Sequence, residues 1–140
     1  MLEIFTDGAC LNNGKPEAKA SWGFVVLTKR GRDYMNNGLV EGKQSNNTGE
    51  LTAILKALSF AIGSGEEDVL IYSDSRYCID SLTIWDIEKR VKGKQKKNYN
   101  LIKKILELTE EINVSFQWVR GHNENYYNEL ADSLANEALK

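Results

Sequence analysis

A short apolar run in the middle of the chain constrains the fold more than any other feature. Residues 69–72 read Val-Leu-Ile-Tyr without a polar break, and the run ends two residues before Asp74. Such a run indicates a strand buried on both faces, as in parallel sheets whose crossover connections are helical. The chain should therefore hold a sheet that helices cover on both faces.

The first part of the chain predicts an antiparallel meander followed by a helix. Residues 2–7 and 21–28 are rich in β-formers, and a third, more polar strand is expected over residues 32–41 at an edge of the sheet. From Asn47 the apolar period becomes helical, with Asn47 and Glu50 spaced as a capping pair. Two glycines should end that helix, Gly63 and Gly65.

The second part of the chain alternates helices with strands. Ser75 should cap a helix that reaches Trp85, and a second helix carries an apolar stripe from Leu101 to Ile112. Residues 114–118 then alternate as a strand, and a last helix starts near residue 125. This order predicts a mixed α/β fold with one central sheet between helices. With 140 residues, of which 41% are hydrophobic and 27% charged, we expect a single domain over residues 1–140.

The charge distribution is uneven. The net charge of −2 argues against a protein that coats nucleic acid through a strongly basic surface. Between residues 89 and 97, however, there are six cations and no acid. A phosphate-binding patch and a solvated surface loop both fit this segment.

Compartment signals are few. The N-terminus lacks the features of a signal peptide, and no apolar run is long enough to cross a bilayer, so we expect a cytoplasmic protein without membrane contact. The two cysteines, Cys10 and Cys78, have no metal-binding or disulfide spacing, and both are interpreted as small buried residues.

Four acids stand in unusual places. Asp7 and Asp74 follow predicted neighbouring parallel strands, Glu50 lies in the first turn of a helix, and Asp132 interrupts an Ala- and Leu-rich helix. Each alone is explained as a capping or solvated carboxylate, but sites in open α/β sheets lie beyond the carboxyl ends of the strands, where these acids would converge. Converging carboxylates repel one another unless cations neutralise them, and oxygen ligands select Mg²⁺ or Mn²⁺. The set suits two-metal phosphodiester hydrolysis.

His122 is the single histidine, and it lies in a polar loop before the last helix. With an ordinary pKa near 6.5 it is suited to move protons near the metals or to assist product departure. A solvent-exposed histidine without a role fits the sequence equally well.

The residues resemble a known family, type 1 ribonuclease H, over essentially the whole chain. Five motifs occur in the family's order: Phe-Thr-Asp-Gly-Ala-Cys, Ser-Asn-Asn-Thr-Gly-Glu-Leu-Thr-Ala, Tyr-Ser-Asp-Ser-Arg-Tyr, Trp-Val-Arg-Gly-His and Asn-Glu-Leu-Ala-Asp. They contain Asp7, Glu50, Asp74, His122 and Asp132, respectively. The resemblance implies a five-stranded mixed sheet and endonucleolytic cleavage of the RNA strand of RNA–DNA hybrids, giving 5′-phosphate and 3′-hydroxyl ends.

The resemblance also implies roles for the acids. Asp7 would bridge two Mg²⁺ ions, Asp132 would help to hold the ion that activates water, and Glu50 with Asp74 would hold the other. Mn²⁺ would substitute for Mg²⁺, and His122 would be a mobile auxiliary residue. We expect a monomer that needs no protein partner.

Further residues would contact the hybrid by resemblance. The loop after the first strand and the residues before Glu50 would bind the minor groove, through Asn13, Ser45, Asn46 and Asn47. A plain turn before the helix is the alternative for Asn46 and Asn47. A short basic protrusion around residues 86–97 would grip the DNA strand, with Trp85 lining the groove unless Trp85 packs in the core. The cations of this segment are Lys89, Arg90, Lys92, Lys94, Lys96 and Lys97.

Three positions depart from the family pattern. Asn12 stands where the family has glycine, and asparagine tolerates a positive φ there. Gly49 replaces a larger residue, and Arg76 stands where glutamine is frequent. These changes bear on substrate contacts and leave the four acids intact.

Three other functions fit part of the pattern. Integrases, transposases and junction resolvases use similar sheets and acids on DNA, but they lack this set of motifs. A binding module with a structural ion is a second alternative, and the nuclease part of a larger polymerase is a third. The start at Met1 and the end at Lys140 favour a free-standing enzyme.

Overall fold

The computed structural model describes residues 1–28, 31–83, 98–120 and 125–140, with the backbone alone at residues 31–33. The strands are β1 Leu2–Leu11, β2 Lys19–Thr28, β3 Gly31–Leu39, β4 Asp68–Ser73 and β5 Asn113–Trp118. The helices of this part of the chain are α1 Asn46–Gly63, α2 Arg76–Thr83, α3 Tyr99–Leu108 and α4 Tyr126–Ala138.

The strands form one five-stranded mixed sheet in the order β3-β2-β1-β4-β5. The first three strands pair antiparallel, whereas β1 with β4 and β4 with β5 are parallel. The predicted fold class is confirmed, including the edge position of β3 and the parallel pairing of β1 with the apolar strand. In the β1–β4 register Phe5 is opposite Tyr72, so Asp7 and Asp74, each two residues further, reach the same edge of the sheet.

The sheet has an apolar core on each face. Helices α1, α2 and α3 cover one face, where Ile4, Leu51, Ile54, Leu58 and Ile71 are among the fully buried residues. Helix α4 covers the other face, over a smaller cluster of Phe5, Val25 and Ala131. The two faces explain why β4 carries an unbroken apolar run.

The start of α1 differs from the sequence prediction. The N-cap is Ser45, whose Oγ accepts a hydrogen bond from the Thr48 backbone N–H at 3.0 Å, while Thr48 Oγ1 accepts one from the Ser45 N–H at 2.9 Å. The predicted Asn47–Glu50 capping pair was therefore wrong. The end of the helix at Gly63 was correct, and Gly65 adopts the positive φ of 82° that follows it.

Other element bounds shift slightly. Strand β3 ends at Leu39, before the predicted residue 41, and α3 ends at Leu108, so Ile112 lies beyond the helix although its side chain is buried. Cys78 is buried as expected, but Cys10 is only half-buried, and both are free thiols. Among the described helices, none is both long and apolar enough to span a bilayer.

Several predictions fall outside the described residues. These are the auxiliary role of His122, the groove contact of Trp85 and the basic protrusion around residues 86–97. The cations of that protrusion are Lys89, Arg90, Lys92, Lys94, Lys96 and Lys97.

Candidate active site

Three of the predicted acids meet at the edge of the sheet. Asp7 lies on β1, Asp74 follows the last residue of β4, and Glu50 lies in the second turn of α1. Each contributes one carboxylate oxygen to a group whose members all lie within 4.8 Å of one another. We call these three residues the carboxylate cluster. Their spacing is that of oxygen ligands around a single ion or a close pair of ions.

Two glycines allow α1 to deliver Glu50 to β1. A Cβ at Gly8 would lie 2.3 Å from the Glu50 backbone nitrogen and 2.4 Å from the Gly49 carbonyl carbon. A Cβ at Gly49 would lie 2.7 Å from the Ser21 carbonyl oxygen. Backbone atoms cannot give way at such distances, so only glycine permits this approach. Gly49 is thus a packing requirement of this site.

Burial sets the charge state of the cluster. It raises the pKa of Asp7 to about 8; the hydrogen bond to Glu50 lowers it, and the charges of Asp74 and Asp132 raise it. Burial likewise raises the pKa of Glu50 well above its usual range, reinforced by the charge and hydrogen bond of Asp7. At neutral pH the Asp7–Glu50 pair therefore retains a proton when no cation is bound.

The cluster fits a cation better than it fits solvent or a protein partner. Glu50 Oε2 is shielded from water and has no hydrogen-bond partner among the described residues. Asp7 is only 4% exposed, and its Oδ1 accepts a 2.9 Å hydrogen bond from the Gly8 N–H. A buried carboxylate oxygen without a donor costs free energy, and a divalent cation supplies the missing positive charge. The carboxylate cluster can therefore hold a metal ion.

Asp132 lies near this cluster but outside the 4.8 Å group. It is a half-buried residue of α4, and its charge contributes to the raised pKa of Asp7. Asn136 Nδ2 donates hydrogen bonds to the Asp132 backbone oxygen at 2.9 Å and to Asp132 Oδ1 at 3.2 Å. The structure thus brings Asp132 within electrostatic range of Asp7. Asn136 binds one oxygen of the Asp132 carboxylate.

Asn128 was not assigned a role from the sequence. It lies one turn before Asp132 on α4, is 2% exposed, and its Oδ1 has no hydrogen-bond partner among the described residues. Asn128 is four residues from Asp132, so the two residues share a helix face. This spacing was the sequence feature that could have pointed to Asn128.

The four predicted minor-groove residues form a corner where the β1–β2 loop meets the start of α1. We call Asn13, Ser45, Asn46 and Asn47 the amide corner. Asn13 Oδ1 accepts a 2.9 Å hydrogen bond from the Asn46 backbone N–H, which ties the loop to the helix. Asn12 has a φ of 53°, as its replacement of glycine required. Asn46 is exposed, while Ser45 and Asn47 are half-buried.

A tryptophan and an arginine pack beside Asp74. Trp118 Nε1 donates a 3.1 Å hydrogen bond to the Asp74 backbone oxygen. The Arg76 guanidinium carbon lies 4.4 Å from the centre of the Trp118 ring. The sequence indicated a strand at Trp118 and a departure from the family at Arg76, but it did not indicate their contact.

A mixed sheet with clustered carboxylates beyond the ends of parallel strands defines a class of metal-dependent hydrolases. The sequence profile of the RNase H family matches residues 1–140. The chain belongs to the ribonuclease H family and is an endoribonuclease of that family, as the resemblance of its motifs implied.

Individual relatives agree with this assignment. The chain is 34% identical over 143 residues to a ribonuclease H of Erythrobacter litoralis, covering 98% of this chain and 94% of that protein. The crystal structure of RNase H1 from Halobacterium salinarum superposes with a TM-score of 0.80 at 27% identity, covering 99% of this chain and 96% of that one. LC11-RNase H1, solved in complex with an RNA/DNA hybrid, shares the fold with a TM-score of 0.74 at 20% identity, over the full length of both chains.

Proposed function

We propose that this enzyme hydrolyses the RNA strand of RNA–DNA hybrids endonucleolytically, using two Mg²⁺ ions and leaving 5′-phosphate and 3′-hydroxyl ends. The observation that carries the proposal is the carboxylate cluster, in which Asp7 is buried and Glu50 Oε2 lacks a partner among the described residues. Membership of the ribonuclease H family supports the choice of substrate.

The acids have separate tasks in this proposal. Asp7 would be a ligand of both ions, Glu50 and Asp74 would help to hold one of them, and Asp132 would help to hold the other; Mn²⁺ would substitute for Mg²⁺. Bound there, two such ions would supply activation of a water and stabilisation of the leaving oxygen of the phosphodiester. The residues themselves prepare the site: the shared proton of Asp7 and Glu50 must leave before both can act as ligands, so loading becomes easier as the pH rises.

The amide corner would bind the hybrid's minor groove without reading its sequence. Asn13 Oδ1 is occupied by the Asn46 N–H, which leaves the Asn13 amide N–H groups to donate to substrate. The exposed Asn46 amide can both donate and accept, and so can that of Asn47. Ser45 uses its Oγ to cap α1, so its contribution to binding is mainly to hold this corner in place.

Further assignments belong to the same proposal. His122 assists proton movement or product departure. The basic segment around residues 86–97, with Trp85, grips the DNA strand. The enzyme is a single domain over residues 1–140 and acts as a monomer in the cytoplasm, without an obligatory protein partner.

The test is cleavage of one labelled sequence presented as RNA–DNA hybrid, duplex RNA, duplex DNA and single-stranded RNA. Each is incubated with Mg²⁺, Mn²⁺ or a chelator, and a Glu50→Gln protein purified in parallel controls for contaminating nuclease. We expect metal-dependent cutting of the RNA in the hybrid alone, with 5′-phosphate ends. Cutting of duplex DNA would instead indicate a resolvase- or transposase-like activity, and binding without cutting would indicate a non-catalytic module.

A further inference from the structure

Arg76 is a solvent-exposed arginine that contacts a tryptophan ring close to Asp74. It is the first residue of α2, two residues after Asp74, and its guanidinium carbon lies 4.4 Å from the centre of the Trp118 ring. A cation over an indole ring is attracted by the negative face of the ring, and the contact fixes a side chain that would otherwise sample many rotamers. The ring contact therefore favours one placement of the guanidinium.

The ring that Arg76 contacts lies beside the backbone of Asp74, a member of the carboxylate cluster. Trp118 is opposite Ser73 in the β4–β5 register, and its indole N–H is bonded to the Asp74 backbone oxygen at 3.1 Å. The Val119 backbone N–H donates to the Ser73 oxygen at 2.9 Å, which extends the strand pairing to this end. The ring is thus anchored to the same backbone that carries Asp74, and Arg76 is anchored to the ring.

The donors of Arg76 are available to a ligand. Within the described residues, no hydrogen bond or ion pair occupies its guanidinium. Stacking on an aromatic ring uses the face of the guanidinium and leaves the N–H groups at its edge, which match the two oxygens of a phosphate. A polyanionic substrate lying across the carboxylate cluster presents such phosphates on both sides of the bond that is cut.

We propose that Arg76 is a substrate-binding residue that holds a phosphate of the RNA strand next to the scissile one, with Trp118 as the ring that positions its guanidinium. The proposal rests on the hydrolysis of hybrids proposed above. It assigns a substrate contact to a position where the family frequently has glutamine. A glutamine offers one amide group at this place, whereas the arginine adds a full charge and a bidentate fork.

A second cation on a tryptophan provides a matched control. Lys56 Nζ lies 5.5 Å from the centre of the Trp22 ring, on α1 and well after Glu50. Its removal eliminates the same unit of charge and the same kind of ring contact. Lys56→Gln therefore separates loss of net charge from loss of a phosphate contact.

The experiment measures hybrid binding by wild type, Arg76→Gln, Arg76→Lys and Lys56→Gln, in Ca²⁺ under conditions where the RNA stays intact, at several salt concentrations. We expect Arg76→Gln to bind about tenfold more weakly and to lower the salt slope by about one, as loss of one phosphate contact does. Arg76→Lys should keep the slope and lose part of the affinity, and Lys56→Gln should match wild type. Equal losses for Arg76→Gln and Lys56→Gln would overturn the proposal.

A second measurement locates the contact. In hybrids with one uncharged methylphosphonate linkage, moved stepwise along the RNA strand, the advantage of wild type over Arg76→Gln should vanish at one linkage beside the cleavage site. An advantage that persists at every linkage of the RNA strand would overturn the proposal. The two proposals fail separately: a wild type that does not cut hybrids refutes the function, whereas a cutting wild type that Arg76→Gln equals in binding refutes only this contact.

Discussion

The carboxylate cluster and the amide corner both include residues at or near the start of α1, yet their polar groups differ in how far they are hydrogen-bonded. In the amide corner, the polar groups satisfy one another: Ser45 and Thr48 cap each other's backbone, and Asn13 binds the Asn46 N–H. In the carboxylate cluster, burial and repulsion raise the pKa values, and Glu50 Oε2 has no partner within the described residues.

The difference separates stability from function along a single helix. A satisfied capping box stabilises α1, so changes there should mainly affect folding. A buried cluster of like charges destabilises the metal-free protein, so changes there should affect catalysis while improving the fold. Loss of the cap should therefore lower the free energy of unfolding, whereas loss of a clustered carboxylate should raise it.

Asp7→Asn gives the largest expected effect. Losing the bridging charge should lower hybrid cleavage at least about 1,000-fold. In chelator above about pH 8, where Asp7 has lost its proton, the same change should raise the free energy of unfolding by roughly 1–3 kcal/mol, because a buried repulsive carboxylate is gone. The measurements are initial cleavage rate and chemical denaturation. Asp68→Asn, at the opposite end of β4, is the matched control and should leave cleavage near wild type. An Asp7→Asn protein that is inactive because it is unfolded would break the comparison.

Gly8→Ala tests how the cluster is assembled. The new methyl group would lie 2.3 Å from the Glu50 nitrogen, so α1 must move away from β1. We expect a loss of about 3 kcal/mol in the free energy of unfolding, together with most of the activity. Gly63→Ala is the control, because a Cβ there meets nothing within 4 Å and the residue ends α1. Retained stability in Gly8→Ala would mean that the close approach is not required.

The pH dependence of the metal-free protein should reveal the cluster without any substitution. Because burial raises the pKa of Asp7 to about 8, the folded state holds a proton that the unfolded state has released above about pH 4. Stability must then fall as the pH rises between these values, by about 1.4 kcal/mol for each pH unit over which only the folded state holds the proton. Chemical denaturation in chelator at pH 5 and pH 8 measures this fall. Asp7→Asn should reduce it, and an undiminished fall in that variant would place its origin elsewhere.

Ser45→Ala gives the smallest expected effect. Loss of the cap should lower the free energy of unfolding by about 1 kcal/mol, with hybrid cleavage within a few-fold of wild type. Ser59→Ala, in the same helix, is the control; the Oγ of this exposed serine donates to the Leu55 oxygen, and its loss should change stability by less than about 0.5 kcal/mol. Thermal or chemical unfolding separates the two. A Ser45→Ala protein as inactive as Asp7→Asn would erase the distinction between the two regions.

Sequence reasoning reached the sheet because its signals are local. The apolar run of β4 specified a strand covered on both faces, and the strand ends then placed Asp7 and Asp74 together. The cap of α1 was misassigned because Asn47 and Glu50 also have capping-box spacing. The structure directs the Glu50 carboxyl to Asp7 instead, and Thr48 takes the capping position.

Contacts between side chains of distant elements were less accessible. The stacking of Arg76 on Trp118 depends on the rotamers of residues from α2 and β5, which no periodicity encodes. The need for glycine at Gly8 depends equally on how closely α1 approaches β1. Asn128 shared a helix face with Asp132, but its burial without a partner for Oδ1 follows only from the packed helix.

The most direct test of the central claim is calorimetric titration of the substrate-free enzyme with Mn²⁺ and Mg²⁺ at pH 7, in two buffers of different ionisation enthalpy. If the cluster holds protons that a cation must displace, binding should release at least about one proton per protein, and Asp7→Asn should reduce this release. Metal binding with no proton released, or with the same release in Asp7→Asn, would contradict a buried carboxylate pair that exchanges its proton for the catalytic metal.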